Sequence, residues 1–247
     1  MSQLQLSPPS YQPLSAEFFA DKTWQPYTDY RHAAQLHLVP LSAPEVAPAA
    51  VDLPVVFAPN PQGKFSLCLL TGLAMGQNHC LDQHWQWQTS YVPVFVRNHP
   101  FRLLPVPAQP EQYVLCVDTS SPWLQASGGD GQEPFFDATQ QVNPRIQDVV
   151  KTLQAQIRHQ HFTQLAVDAL VQHRLLMPWH LHDVQGLPIS GLQRINEEAL
   201  QQLSSDALHA LLRTGSLAIA YAQMLSTHQL HRLQKLAQLA GTHTALA

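Results

Sequence analysis

Proline placement constrains this chain more than any other feature. Eighteen of its twenty prolines lie at or before Pro144, and only Pro178 and Pro188 follow. Proline fixes φ and lacks an N–H, so it is kept out of helix interiors and central strands. The first part must therefore consist of short strands, edges and turns, whereas the second is free to form helices. The expected class is α+β, with a β-rich, mostly antiparallel N-terminal part packed with a helical C-terminal part. No alternating βαβ pattern appears. At 247 residues the chain can bury a full core. We expect residues 1–35 to form an N-terminal arm and 36–247 a single domain, β-rich over 36–144 and mostly helical over 145–247.

Within the first part, β-branched and aromatic runs punctuated by Pro, Gly and Asn predict strands at Leu36–Pro40, Val55–Phe57, Phe65–Leu70, Tyr91–Val96, Phe101–Val106 and Tyr113–Val117. Pro44–Asp52 reads as a short helix with proline at its start, and Ser127–Glu133 as a turn. From Arg145 the period becomes helical, with Ile146, Val149, Val150, Leu153 and Ile157 in register. Leu175–Val184 and Leu187–Ile195 read as a hairpin around Gln185-Gly186. Asn196 and Ser205 are N-cap candidates. A long helix is expected from about Ser216 to Ala240, with Leu217, Tyr221, Met224, Leu225, Leu233, Leu236 and Leu239 facing inward and Gly241 ending it.

Charge narrows the function. The formal net charge is -4 and only four residues are lysine. A nucleic-acid or anionic-membrane binder needs a basic face, so neither partner is expected. Much of the polarity comes from 30 glutamines. No run approaches a membrane span, and the first residues, MSQLQLSPPSYQPL, lack the basic and apolar regions of a secretory signal. Cys68, Cys80 and Cys116 sit among apolar residues and cannot all pair. The expected location is the cytoplasm.

The common catalytic spacings are absent: there is no Gly-x-Gly-x-x-Gly, Gly-x-Ser-x-Gly, Cys-x-x-Cys or His-Glu-x-x-His. Fourteen histidines make metal binding worth weighing. On a strand, His180 and His182 of PWHLHDV share a face, with Asp183 beside them. His79 and His84 flank Cys80, yet one Cys with two His does not close a structural site. A polar hairpin face explains the first set more simply, and a turn around Cys80 and Asp82 the second. No metal and no cofactor is expected.

The densest unusual segment is NHCLDQHWQWQTSYVPVFVRNHPF, from Asn78 to Phe101. On a strand, Trp85 and Trp87 would point their rings to one face. Arg97, a lone cation among aromatics, can stack on a ring or clamp a carboxylate. Trp85, Tyr91, Arg97 and Asp118 are therefore the candidate ligand-binding residues. In the alternative structural role, Arg97 pairs with a buried carboxylate, and Asp118, at the end of VLCVD, is the candidate.

That segment resembles the signature of the SapC family of bacterial proteins. Asn78, Trp85, Tyr91-Val92-Pro93, Arg97 and Pro100-Phe101 stand in the family's order and spacing. VPLSAPEVAPAAVDLPVVF at 39–57, VLCVDTSSPWL at 114–124 and EPFFDATQQVNP at 133–144 resemble further family stretches. GLQRINEEALQQLSSDAL and GSLAIAYAQMLS resemble its C-terminal helices. The resemblance covers about 36–240 and leaves the arm unmatched.

SapC members carry a surface-layer label, which implies an exported structural protein. SapC-like proteins are also commonly encoded near TonB-dependent receptors and flavin-dependent halogenase-like proteins, implying an accessory role in uptake or modification of a small molecule or peptide. The family supplies no catalytic residues to carry over. The leading expectation is a non-catalytic accessory or binding protein that engages a small ligand or partner protein through Trp85, Tyr91 and Arg97. The runner-up is a peptide- or amino-acid-modifying enzyme using Arg97 and Asp118 with a histidine. The surface-layer role stands third.

Overall fold

The computed structural model describes residues 10–126, 132–180 and 189–245. Along the chain run β1 (Tyr11–Pro13), α1 (Ala16–Phe19), β2 (Lys22–Trp24), β3 (Leu38–Pro40), α2 (Ala43–Ala50), β4 (Val55–Pro59), β5 (Phe65–Leu70) and α3 (Val94–Arg97). Then come β6 (Phe101–Val106), β7 (Gln109–Asp118), β8 (Leu124–Ala126), β9 (Glu133–Pro134) and the 29-residue α4 (Pro144–Gln172). The chain continues through β10 (Leu176–Pro178), β11 (Gln193–Ile195), α5 (Glu197–Gln201), α6 (Ser205–Arg213), α7 (Ser216–Ser226) and α8 (Leu230–Ala245). The fold is α+β: most strands precede α4, and helices dominate after it.

Two compact units emerge, and each draws on both stretches. The first combines residues up to Thr28 with Asn98–Ile157. It holds two antiparallel three-stranded sheets, ordered β1-β7-β6 and β8-β2-β9. Residues 11–24 thus supply strands to both, with Tyr11 opposite Asp118 and Thr23 opposite Gln125. Phe19, Trp24, Phe101, Val117, Phe135, Ile146 and Leu153 form the core of this unit. Trp24 meets Phe101 edge-on at 5.0 Å, and Phe19 lies 5.0 Å from Phe135. These aromatics bring large apolar area to a unit rich in prolines.

The second unit combines Asp29–Arg97 with residues from Arg158 onward. Its antiparallel sheet is ordered β10-β11-β4-β5-β3. β4 and β5 read as continuous apolar runs because both of their faces are buried. A single register pair, Gln193 opposite Phe57, joins β11 to β4. The gap is filled from α7: the fully buried Gln223 side chain donates to the Val55 carbonyl (3.1 Å) and accepts from the Ile195 N–H (2.9 Å). The Ser226 hydroxyl accepts from the Val55 N–H at 2.9 Å. One amide side chain thereby stands in for ladder bonds that the diverging strands cannot make.

The same contacts correct the expected last helix. It is two helices, separated by a 3₁₀ turn at Thr227–Gln229. α7 turns Ser216, Gln223 and Ser226 inward beside Ile219 and Ala220, whereas Tyr221 and Leu225 face out. Leu239 of α8 is exposed too, and α8 continues past Gly241. Ser204, not Ser205, caps α6 by accepting from the Ala207 N–H, and Asn196 caps α5 as expected. β10 and β11 pair antiparallel as expected, but among the described residues only over Leu176–Pro178 and Gln193–Ile195, shorter than the arms Leu175–Val184 and Leu187–Ile195 that the sequence suggests. Its Gln185-Gly186 turn and most of the Ser127–Glu133 turn lie outside the described residues.

Candidate functional site

The site begins at α2, whose start is written in Ser42, Pro44 and Glu45. Ser42 is the N-cap, Pro44 needs no N–H donor in the first turn, and Glu45 completes a capping box. Glu45 Oε2 accepts from the Ser42 N–H (2.9 Å) and hydroxyl (2.7 Å). Its other oxygen reaches across to a distant segment, accepting from the Tyr91 hydroxyl (3.1 Å) and the Val94 N–H (2.8 Å). Seven residues on, in the turn that ends α2, Asp52 is equally buried. It accepts from the Ser90 N–H at 2.6 Å and from the Ser90 hydroxyl, while its second oxygen takes the Arg232 guanidinium of α8. Two buried carboxylates thus grip residues 90 to 94 from one side.

That grip explains why Tyr91–Val96 is not the strand its composition suggests. The N–H groups of Ser90 and Val94 are bound to carboxylates, and Pro93 has none to offer a neighbouring strand. The Pro93 carbonyl instead accepts from Val96 and Arg97, closing the single turn of α3. This turn carries Arg97 outward. Its guanidinium lies 3.5 Å from the Tyr91 hydroxyl and 5.6 Å from the centre of the Tyr91 ring, a cation–π arrangement. Arg97 is exposed while Tyr91 is half-buried. Burial, followed by the Glu45 charge and hydrogen bond, pushes the Tyr91 phenol up to about 12 against the counter-effect of Arg97. Tyr91 therefore stays protonated at neutral pH as a donor to Glu45.

Trp85 and Trp87 do not lie on one strand face. Asp82 accepts from the N–H groups of His84 and Gln86 and binds the Gln88 amide, folding 82–88 into a capped turn. Trp85 sits in it with φ +62°, a conformation that costs a non-glycine residue about 1 kcal/mol or more. Its carbonyl accepts from the Tyr30 N–H at 2.8 Å. Trp87 packs inward, donating to the Tyr91 carbonyl (2.9 Å), with its ring 5.9 Å from Tyr30. Tyr91, Arg97 and Trp87 are thus brought together, and Trp85 is half-exposed on the neighbouring turn.

Asp118 belongs to the first unit, and the other three candidates to the second. Its carboxylate is buried and accepts from the Ser10 N–H (3.1 Å), the Ser120 N–H (3.0 Å) and the Ser120 hydroxyl (2.6 Å). The remaining signature residues also have structural contacts. Asn78 donates to the Ala33 carbonyl and accepts from the Cys80 N–H, and Phe101 lies in the first core.

Among the described residues no group of three His, Cys, Asp or Glu side chains could hold a metal ion. His180 is exposed, and its companions His182 and Asp183 lie outside the described residues. Burial pushes the Cys80 thiol well above its ordinary value, with Arg232 and Asp52 as opposing charges nearby. Cys68 is pushed up to about 12 by burial alone, so it stays protonated at neutral pH. No helix among the described residues is long and apolar enough to cross a membrane.

Sequence reasoning did not single out Glu45, Asp52, Ser90 or Arg232. Ser42-x-x-Glu45 is a legible capping box, but its spacing does not reveal that Glu45 has a second oxygen left for Tyr91.

The aromatic–arginine signature, the capped helix before it and the helices after α4 together define an α+β family protein. The SapC family model matches residues 14–233, so the chain belongs to the SapC family. The match begins well before residue 36 and takes in β2 and most of the expected arm. No curated protein and no solved structure matches it.

Proposed function

We propose that this SapC-family chain is a non-catalytic accessory or binding protein, engaging a small ligand or partner protein through Arg97, Tyr91 and Trp85. The carrying observation is the contrast between Arg97 and its base. The guanidinium is exposed on a single helical turn, while the tyrosine beneath it is fixed by a buried carboxylate. A cation presented on a rigid aromatic platform binds carboxylate or phosphate groups without first paying to be ordered. Half-exposed Trp85, held in a left-handed conformation on the neighbouring turn, adds an apolar surface for the rest of a ligand. The family's genomic neighbours favour a place in nutrient uptake or halogenase-associated modification, inside the cell.

Native mass spectrometry of protein purified gently from its own cells tests this reading. The wild type is expected to carry a stoichiometric extra mass, from a small molecule or a partner chain, that Arg97→Ala lacks. A bare wild type, or an extra mass retained by Arg97→Ala, would contradict it.

A further inference from the structure

Asp52 is shared by Ser90, on the signature segment, and Arg232, on α8. Its two oxygens are divided between them: Oδ2 takes both Ser90 donors, and Oδ1 takes the guanidinium. A buried carboxylate with one oxygen in an ion pair is held in place much more firmly than one with neutral donors alone. Ser90 is followed directly by Tyr91, whose hydroxyl must meet Glu45, and then by Val94, whose N–H meets the same oxygen. Glu45 and Asp52 both belong to the α2 region, seven residues apart, so the two grips share one rigid base. Between the grips lie only Tyr91, Val92 and Pro93, and proline adds stiffness. A shift of Ser90 is therefore passed to Tyr91 instead of being absorbed by slack chain.

We infer that Arg232 of α8, acting through Asp52 and Ser90, is a positioning residue for the Tyr91–Arg97 face. The contact runs Arg232–Asp52–Ser90–Tyr91–Arg97, entirely within the second unit. The purpose of this coupling rests on the binding role proposed above. The coupling itself does not, because it can be read in the protein alone. Arg232 is 40% exposed and its aspartate partner 6%, so solvent reaches the arginine end of the chain of contacts. Whatever moves α8 at that end would be felt at Tyr91.

Amide hydrogen exchange and the tyrosine ring ¹³Cζ signals, compared between wild type and Arg232→Gln, test the inference. Loss of a charge-assisted hydrogen bond should speed exchange at both Ser90 and Val94 by about tenfold. The Tyr91 ring signal, assigned with Tyr91→Phe, should move, while Leu69 in the β4–β5 ladder stays protected. Lys64→Gln, which breaks the Lys64–Asp168 pair elsewhere in this unit, should change neither amide. Faster exchange at Ser90 alone, with Val94 and the Tyr91 signal unmoved, would overturn the inference and leave Arg232 a local tether. Equal acceleration across the unit, Leu69 included, would overturn it as well. Should Arg232→Gln not fold, Ser90→Ala removes the hydroxyl link and keeps both charges, and an unchanged Val94 amide there would again contradict the coupling. A wild type with no bound mass would defeat the binding role while leaving these exchange results to judge the coupling.

Discussion

A carboxylate taken out of water needs donors for both oxygens, or it costs several kcal/mol. Glu45 has four, two from its own helix cap and two from the signature segment. Replacing it with Gln sets an NH₂ against at least one pair of those donors. Glu45→Gln is accordingly expected to lower unfolding stability by about 2 kcal/mol, read from urea melts. Tyr91 carries a separate signature. Its folded pKa lies at about 12 against an ordinary 10.0, so between these values the folded state holds the proton more tightly than the unfolded state. That contribution is fully present below pH 10 and is lost as pH rises toward 12. Tyr91→Phe should flatten this alkaline decline, and an unchanged slope would mean that the phenol is not held as described. Arg97 and Tyr91 were each legible as candidate binding residues from the aromatic segment that holds them, though not as partners of one another. Glu45 was not, since a capping glutamate with a second, distant duty looks in sequence like any other helix start.

At the scale of elements, local chemistry predicted best where the backbone itself demanded it. Pro44 marks the start of α2, and Asn196 marks that of α5. The pattern failed where type alone had to choose a face. α7 is apolar at most positions, so helical periodicity identifies a helix without saying which side is buried. The deciding contact is long-range: Gln223 bridges Val55 and Ile195, two strands that meet only through a single pair. Gln223→Leu leaves that donor and acceptor buried and unpaired, and should destabilise the second unit by about 2 kcal/mol in thermal or urea melts. A neutral outcome would mean that β4 and β11 close the gap themselves. The misread strand at Tyr91–Val96 has the same origin, for its β-branched residues suit a ladder but its N–H groups are bound to carboxylates.

For the whole molecule, the proline boundary at 144 foretold the change from strands to helices but not the two units. Each unit is built from chain segments on both sides of that boundary, and α4 runs through the division at Ile157. Such an arrangement depends on which distant strands pair, information that neither proline spacing nor hydrophobic period contains. The signature segment likewise ends across the division, with Arg97 closing one stretch and Phe101 in the core of the other unit. Buried carboxylates hold this segment in place, and its last helical turn carries Arg97 to the exposed side. Urea unfolding of Arg97→Ala tests that division of labour most directly. If Arg97 is there to bind, its loss should shift stability by no more than about 0.5 kcal/mol, as for an ordinary surface position, and well below the loss in Glu45→Gln. A loss as large as that of Glu45→Gln would make Arg97 a support of the fold and contradict the account.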